Sequence, residues 1–362
     1  MKLTLLSLAA TLATATDLLI TLLERHYPAK HRVADIRHAL TTYRNLTTKI
    51  VLQPGRGPAA DATESAGYLE AIKSLAALPN VRLLGHVTVT QPAAEGEKPE
   101  GTGSADAHEG KGKTRDRDRA KDKPVLRPHQ SLADEVRAWS GWADRGMPVH
   151  GIFLDQAPPM VGDAGDGSRE GLRRLIGLVK ADGDDDNGLR FGGEKGEVVG
   201  RVYNPRRDDR DGTLGDGGWM EKIWRAYEWA MGTRLRRPPQ TGEVEGVVEY
   251  YDMVPAPDLV VGLEYNIGSL YQVALPDAEK WDVNRTVMSV YEPQDGKGQR
   301  PHPDTVELGL GFTIPKVVEK GFIGFLVDVV PPHIGLVTNL LSTANIGTEL
   351  GIKGESLVEL RC

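Results

Sequence analysis

The stretch "VHGIFLDQAPPM", residues 149–160, decides how the chain is read. Val149, Ile152, Phe153 and Leu154 form an apolar run with few polar interruptions, the pattern of a parallel strand covered on both faces. Asp155 stands where the run stops, and Pro158 and Pro159 cannot continue a ladder. The stretch therefore predicts a strand whose carboxyl end delivers a carboxylate to a loop. That carboxylate is either a helix cap or a reactive group, and the surrounding chain has to distinguish the two.

Comparable apolar runs recur on both sides: Leu18 to Leu23, Lys49 to Gln53, Val81 to Val89, Glu197 to Asn204, Asp258 to Glu264, Arg285 to Tyr291 and Gly321 to Asp328. Between them lie amphipathic stretches, His31 to Asn45, Ser65 to Leu78, Leu132 to Arg145, Arg169 to Ala181, Trp219 to Met231, Gly268 to Lys280 and Pro303 to Glu319. The alternation predicts an α/β fold, a single-domain (β/α)8 TIM barrel over residues 16–330, with 331–362 as a C-terminal extension. An open doubly wound sheet is the rival. No G-x-G-x-x-G follows the first strand to support its dinucleotide-binding form.

The 362 residues are 40% hydrophobic and 26% charged, enough to bury the core such a barrel needs. The net charge of −7, from 44 basic and 51 acidic residues, argues against nucleic acid as a partner, because phosphate binding favours basic surfaces. At the N-terminus, Lys2, the apolar run Leu3 to Leu12 and Ala13-Thr14-Ala15 follow the order of a secretory signal, so residues 1–15 are expected to be removed and the protein secreted or held at the cell surface. No other apolar run reaches the roughly 18 residues of a membrane span. The sequons Asn45-Leu46-Thr47 and Asn284-Arg285-Thr286 fit the secretory route. The one cysteine, Cys362, excludes an internal disulfide.

Residues 93–124, "AAEGEKPEGTGSADAHEGKGKTRDRDRAKDKP", hold almost no large apolar side chains. They cannot bury enough surface to offset the entropy of ordering, so they read as a long disordered insertion after strand three. The acidic "DGDDDNG" at 182–188 lacks the twelve-residue spacing of a calcium loop, and no metal or other cofactor is expected.

In a (β/α)8 barrel the reactive groups stand where strands end. Asp155, Asn204, Glu264 and Asp328 close strands four, five, six and eight, and His86 lies inside strand three. Two carboxylates closing apolar strands, Asp155 and Glu264, are what glycoside hydrolysis requires: one group protonates the leaving oxygen while the other attacks, or activates water, at the anomeric carbon. No P-loop, H-E-x-x-H or G-x-S-x-G elbow offers a rival chemistry. Aromatics able to stack on sugar rings are Trp139, Trp142, Tyr203, Tyr265 and Tyr271, although Trp139 and Trp142, three apart on a helix, suit core packing better.

Several blocks resemble the spherulin-four-like, or spherulation-specific, family. "KIVLQPGRGPAA" is similar to its "VVNPNSGPG", "AIKSLAALPNVRLLGHVTVT" to its "AI..LN...NV.VLGYV.T", "VHGIFLDQAPP" to its "V.GIFFDEAP", "RVYNP" to its "VVLNPG" and "DLVVGLEYNIGSLY" to its "D.VV.FE.SY". Together they span roughly residues 18–330. The resemblance implies a (β/α)8 barrel and a secreted glycoside hydrolase cutting galactosamine- or N-acetylgalactosamine-containing exopolysaccharide, such as fungal galactosaminogalactan. By analogy with related galactosaminidases, it makes Asp155 the nucleophile and Glu264 the general acid/base. From their places at or beside the strand ends, Gln156, His86, Asn204, Tyr265 and Asp328 are expected to contact the substrate. Four positions depart from the pattern: Gln156 stands where the family has glutamate, His86 where it has tyrosine, and Gln53 and Arg56 where it has the polar residues of "NP..GPG". Glutamine cannot exchange a proton. The alternative is therefore a catalytically impaired cell-surface or spore-associated carbohydrate-binding protein on the same barrel.

Overall fold

The computed structural model describes residues 15–23, 30–53, 66–91, 125–158, 166–181, 189–191, 195–202, 247–266, 281–291, 303–328 and 334–349. The barrel strands are β1 (Asp17–Leu23), β2 (Thr48–Gln53), β3 (Val81–Thr88), β4 (Val149–Ala157), β5 (Glu197–Val202), β6 (Leu259–Asn266), β7 (Thr286–Tyr291) and β8 (Gly324–Asp328). Each pairs in parallel with its neighbours, and β8 returns to β1 to close the barrel. The described helices are α1 (Lys30–Thr42), α2 (Ala66–Ala76), α3 (His129–Ser140), α4 (Asp166–Lys180), the short α5 (Val248–Tyr251), α6 (Pro303–Glu319) and α7 (Ile334–Glu349). The expected (β/α)8 barrel is thus the fold. The leader, the insertion 93–124 and the helices expected at Trp219 to Met231 and Gly268 to Lys280 lie outside the described residues, Ala15 excepted.

Because side chains alternate across a strand, each barrel strand sends one set of residues into the lumen and the other toward the helices. Two separate apolar clusters result. Leu19, Val51, Leu84, Phe153, Val199, Val261, Val287 and Leu326, one from each strand, meet with Leu259 inside the barrel. The alternate residues, such as Leu18, Ile50, Leu83, Ile152 and Val198, join the helices in the larger outer cluster. Burying a side chain such as Phe153 contributes about 2 to 3 kcal/mol.

Below the apolar lumen layer, toward the strand starts, lies an ionic one. Lys49 of β2 bonds Asp17 of β1 and reaches across the lumen to Glu197 of β5 at 3.5 Å. Burial raises Glu197 above the usual carboxylate value of 4.5, with the Lys49 charge opposing it in part. Between that value and the raised one, the folded chain keeps a proton that the unfolded chain has released, so stability falls as pH rises through the window. Glu197→Gln, which keeps the volume without the charge, is expected to remove that fall. Urea midpoints measured upward from pH 4.5 should be flatter for the variant than for the wild type, and coincident curves would exclude Glu197 as the group responsible.

Helix α7 lies in the stretch read as a C-terminal extension, yet it packs against both α1 and α6. Asn345 accepts the Thr16 backbone N–H at 3.1 Å and donates to the Thr16 carbonyl at 3.1 Å, and Ser342 donates to Asn45 Oδ1 at 3.0 Å. The helical ring therefore reaches at least to Glu349, and the boundary drawn at residue 330 falls too early. Periodicity shows an amphipathic helix; whether its apolar side faces this barrel is settled only by what packs on it.

Candidate active site

Two residues beyond the apolar lumen layer, on the same face of each strand, every described side chain is polar: Thr21, Gln53, His86, Asp155, Arg201 and, beside them, Glu264 and Ser289. These form the upper layer of the barrel, at the carboxyl ends of the strands, where (β/α)8 enzymes place their chemistry. Asp155 is not the last residue of its strand, as the apolar run suggested. β4 runs on to Ala157, with a register shift between Leu154 and Ala157. Gln156 sits in that irregularity at φ 57°, a left-handed conformation that a residue with a Cβ adopts at a cost of about 1 to 2 kcal/mol. Its backbone N–H donates to Asp155 Oδ1 at 2.9 Å, and its side-chain oxygen accepts from Thr90 at 3.4 Å.

His86 Nε2 lies 3.1 Å from Asp155 Oδ2, and its ring stacks on Phe153 with centroids 6.1 Å apart. The β3 backbone at this point is held by Trp139, whose indole N–H donates to the His86 carbonyl at 3.1 Å. The indole fits because residue 85 is glycine: a Cβ there would stand 2.4 Å from the Trp139 ring. Trp139 and Trp142 are fully buried with ring centroids 4.6 Å apart, so both pack the core and neither reaches a sugar.

Glu264 reaches the lumen through a second irregularity. Strict alternation from Val261 would turn Leu263 inward and Glu264 toward the helices. A register shift between Val261 and Leu263 reverses this, leaving Leu263 in the outer cluster and Glu264 inside. The same step puts Tyr265 in the outer apolar cluster, 4% exposed, on the opposite face of β6 from Glu264. Tyr265 is therefore a packing residue, and the expected stacking on substrate is corrected. β6 itself continues past Glu264 to Asn266, which pairs with Tyr291.

Arg201 of β5 is the group that the strand-end reading missed. It is 5% exposed, donates from Nε to Glu264 Oε1 at 2.5 Å, and places Nη1 3.9 Å from Asp155 Oδ1. Its signal in sequence is a lone arginine inside the apolar run "VVGRV", two residues beyond Val199. Burial disfavours the charge on Asp155, but the His86 hydrogen bond and the Arg201 charge outweigh it and hold Asp155 below the usual carboxylate value. A depressed carboxylate contributes stability above its ordinary value and gives it up as pH falls through the lowered one.

Ser289 pairs in register with Glu264 and is fully buried, with its hydroxyl unpartnered among the described residues. Asp328 ends β8 opposite Tyr291 in register. Asn204, Tyr203 and Tyr271 lie outside the described residues. Among those described, no group of three or more His, Cys, Asp or Glu is placed to hold a metal ion, and no helix is long and apolar enough to cross a membrane.

The arrangement offers two carboxylates approached by one guanidinium, with an imidazole on the far side of the first. Residues 26–196, which carry β2 to β4 and so His86, Asp155 and Gln156, match the model of spherulation-specific family 4; Arg201 and Glu264 lie beyond the end of that match. No curated protein matches by sequence. Among solved structures, Aspergillus clavatus Sph3 in complex with GalNAc superposes with a TM-score of 0.51 at 13% identity, covering 91% of this chain and 99% of that one. At this identity the likeness shows the fold. Yersinia pestis DHPS with a pterine-sulfa conjugate gives a TM-score of 0.33 at 9% identity, over 96% of this chain and 100% of that one, too loose a superposition to support any inference.

Proposed function

We propose, from the match of residues 26–196 to the model of spherulation-specific family 4, that the protein is a secreted glycoside hydrolase acting on galactosamine- or N-acetylgalactosamine-containing exopolysaccharide. The observation that carries the reading is that Asp155 and Glu264, from β4 and β6, both approach the Arg201 guanidinium in the upper lumen layer. Two carboxyl groups facing one another across a cleft are the machinery of glycosidic cleavage, through an oxocarbenium-like transition state. In this reading Asp155, kept ionised by its neighbours, attacks the anomeric carbon. Glu264 exchanges the proton with the glycosidic oxygen and then with water. His86, Gln156, Asn204 and Asp328 contact the sugar. The GalNAc bound by Sph3, which shares the fold, supports an amino sugar as the recognised unit.

A second reading, a carbohydrate-binding protein with impaired catalysis, is favoured by one observation. Gln156, beside Asp155, bears an amide that cannot exchange a proton. Incubating the purified protein with acetylated and with deacetylated galactosaminogalactan, and measuring released oligosaccharides by mass spectrometry, separates the two. Fragments are the expected result. Binding without fragments would establish the lectin-like reading, and neither binding nor fragments would defeat both.

For the route out of the cell, the expected cleavage after Ala15 would place the new α-amino group at the Thr16–Asn345 hydrogen bond. The sequon residues Asn45 and Asn284 are exposed next to the starts of β2 and β7, at the barrel end opposite the polar layer, where glycans would leave the cleft open. Secreted protein should begin at Thr16 and lose mass on enzymatic deglycosylation. Recovery only of an intact Met1 chain inside cells would refute secretion.

A further inference from the structure

We propose that Arg201 is the positioning residue of this site, spanning the two carboxylates so that the side-chain orientation of Glu264 relative to Asp155 is set by one guanidinium. The inference rests on reading Asp155 and Glu264 as the functional pair, but its structural part can be measured without catalysis.

The upper-layer residues of four adjacent strands form a chain of contacts: His86 on β3, Asp155 on β4, Arg201 on β5 and Glu264 on β6. Each Asp155 oxygen has a defined neighbour. Oδ2 faces His86 at 3.1 Å, while Oδ1 accepts the Gln156 N–H at 2.9 Å and lies 3.9 Å from Arg201 Nη1. Asp155 is thus held from three directions, two of which survive without Arg201. Glu264 enters the lumen because β6 slips register, and its short bond to Arg201 Nε ties its carboxyl group to the same guanidinium.

A guanidinium suits this task because it is planar and rigid, with donors pointing in divergent directions. One edge holds Glu264 through Nε while Nη1 is directed toward Asp155, so two groups 109 residues apart in the chain are placed by a single rigid unit. A lysine ammonium is a point charge on a flexible stem, and it cannot impose both directions at once. The separation of the two carboxyl groups decides between direct attack and attack through a water. The residue that spans them therefore governs the stereochemical course as well as the rate.

The test compares the full-length wild type with Arg201→Lys and Arg201→Ala by crystallography, by 13C NMR titration of Asp155 and by kinetics. In both variants the Glu264 carboxyl group is expected to leave its wild-type position by about 1 Å or more, a displacement that can cost about 100-fold in rate. That loss should fall on kcat with KM little changed, and millimolar guanidinium should restore part of the Arg201→Ala activity. Among the described residues, His86 from β3 and Arg201 from β5 are the ionisable groups that act on Asp155, with Glu264 of β6 on the Arg201 guanidinium, so losing the Arg201 charge should raise the Asp155 midpoint in Arg201→Ala. Should that variant fail to fold, the Glu264 position in Arg201→Lys decides. Glu264 unmoved in the folded variants, with unchanged Asp155 titration where it is measured, would overturn the proposal. Should the wild type hydrolyse nothing, the crystallographic and titration results still decide the role of Arg201, and only the hydrolase reading falls.

Discussion

Asparagine in place of Asp155, or glutamine in place of Glu264, is expected to abolish hydrolysis of the amino-sugar polymer, by about 10,000-fold or more, while sugar binding persists. The two substitutions should separate in stability. Asparagine at 155 keeps an oxygen to accept the Gln156 N–H, and it leaves the Arg201–Glu264 pair intact. Glutamine at 264 takes the charge from a pair in which both side chains are almost wholly buried, while Asp155 stays 3.9 Å from Arg201. Breaking a buried pair from one side costs about 3 to 5 kcal/mol, so Glu264→Gln should melt well below Asp155→Asn. Mass spectrometry of released fragments, calorimetric binding and urea melts read the three effects separately. Full activity in Asp155→Asn would remove the paired-carboxylate mechanism. Gln156→Glu completes the set: a large gain in rate would show that the wild-type site is impaired, and an unchanged rate would leave Asp155 as the carboxylate of β4 that acts.

Alanine at Gly151 is expected to prevent folding, or to destabilise the barrel by on the order of 3 kcal/mol or more. An added Cβ would lie 2.0 Å from the carbonyl oxygen of Glu197 and 2.7 Å from its carbonyl carbon and nitrogen, all backbone atoms of the paired strand. No side chain can rotate away to make room, so β4 and β5 must separate. That would open the barrel wall between Asp155 and Arg201. Gly141→Ala is the matching control: nothing stands within 4 Å of its added Cβ, and its φ of −70° suits alanine. It should be neutral or stabilise by about 0.4 to 1 kcal/mol through the unfolded chain. Soluble yield and urea midpoints of the two variants test this, and a Gly151→Ala protein melting like the wild type would contradict the packing described for the lumen.

The barrel was legible because its signal is local and repeated. Apolar runs such as "VHGIFLD" and amphipathic stretches such as Pro303 to Glu319 each carry their own period, and their alternation leaves few topologies. Asp155 was legible for the same reason, as a carboxylate at the end of such a run. The rest of the site depends on pairing between strands. Glu264 faces inward and Tyr265 outward because β6 slips against β7, and a period of two counted along "LVVGLEYN" cannot register a slip that the neighbouring strand imposes. Lys49 and Arg201 look like interruptions in apolar strands, yet both are buried, because carboxylates from strands 32 and 63 residues away meet them inside the barrel. A charge in a low-dielectric lumen is tolerated only with such partners in reach, and no local pattern specifies which distant residue the closed barrel will bring there. The sequence by itself determined the eight strands and the end of the barrel where chemistry belongs; tertiary structure decided which side chains meet in the lumen, because register and closure are properties of strands acting on one another.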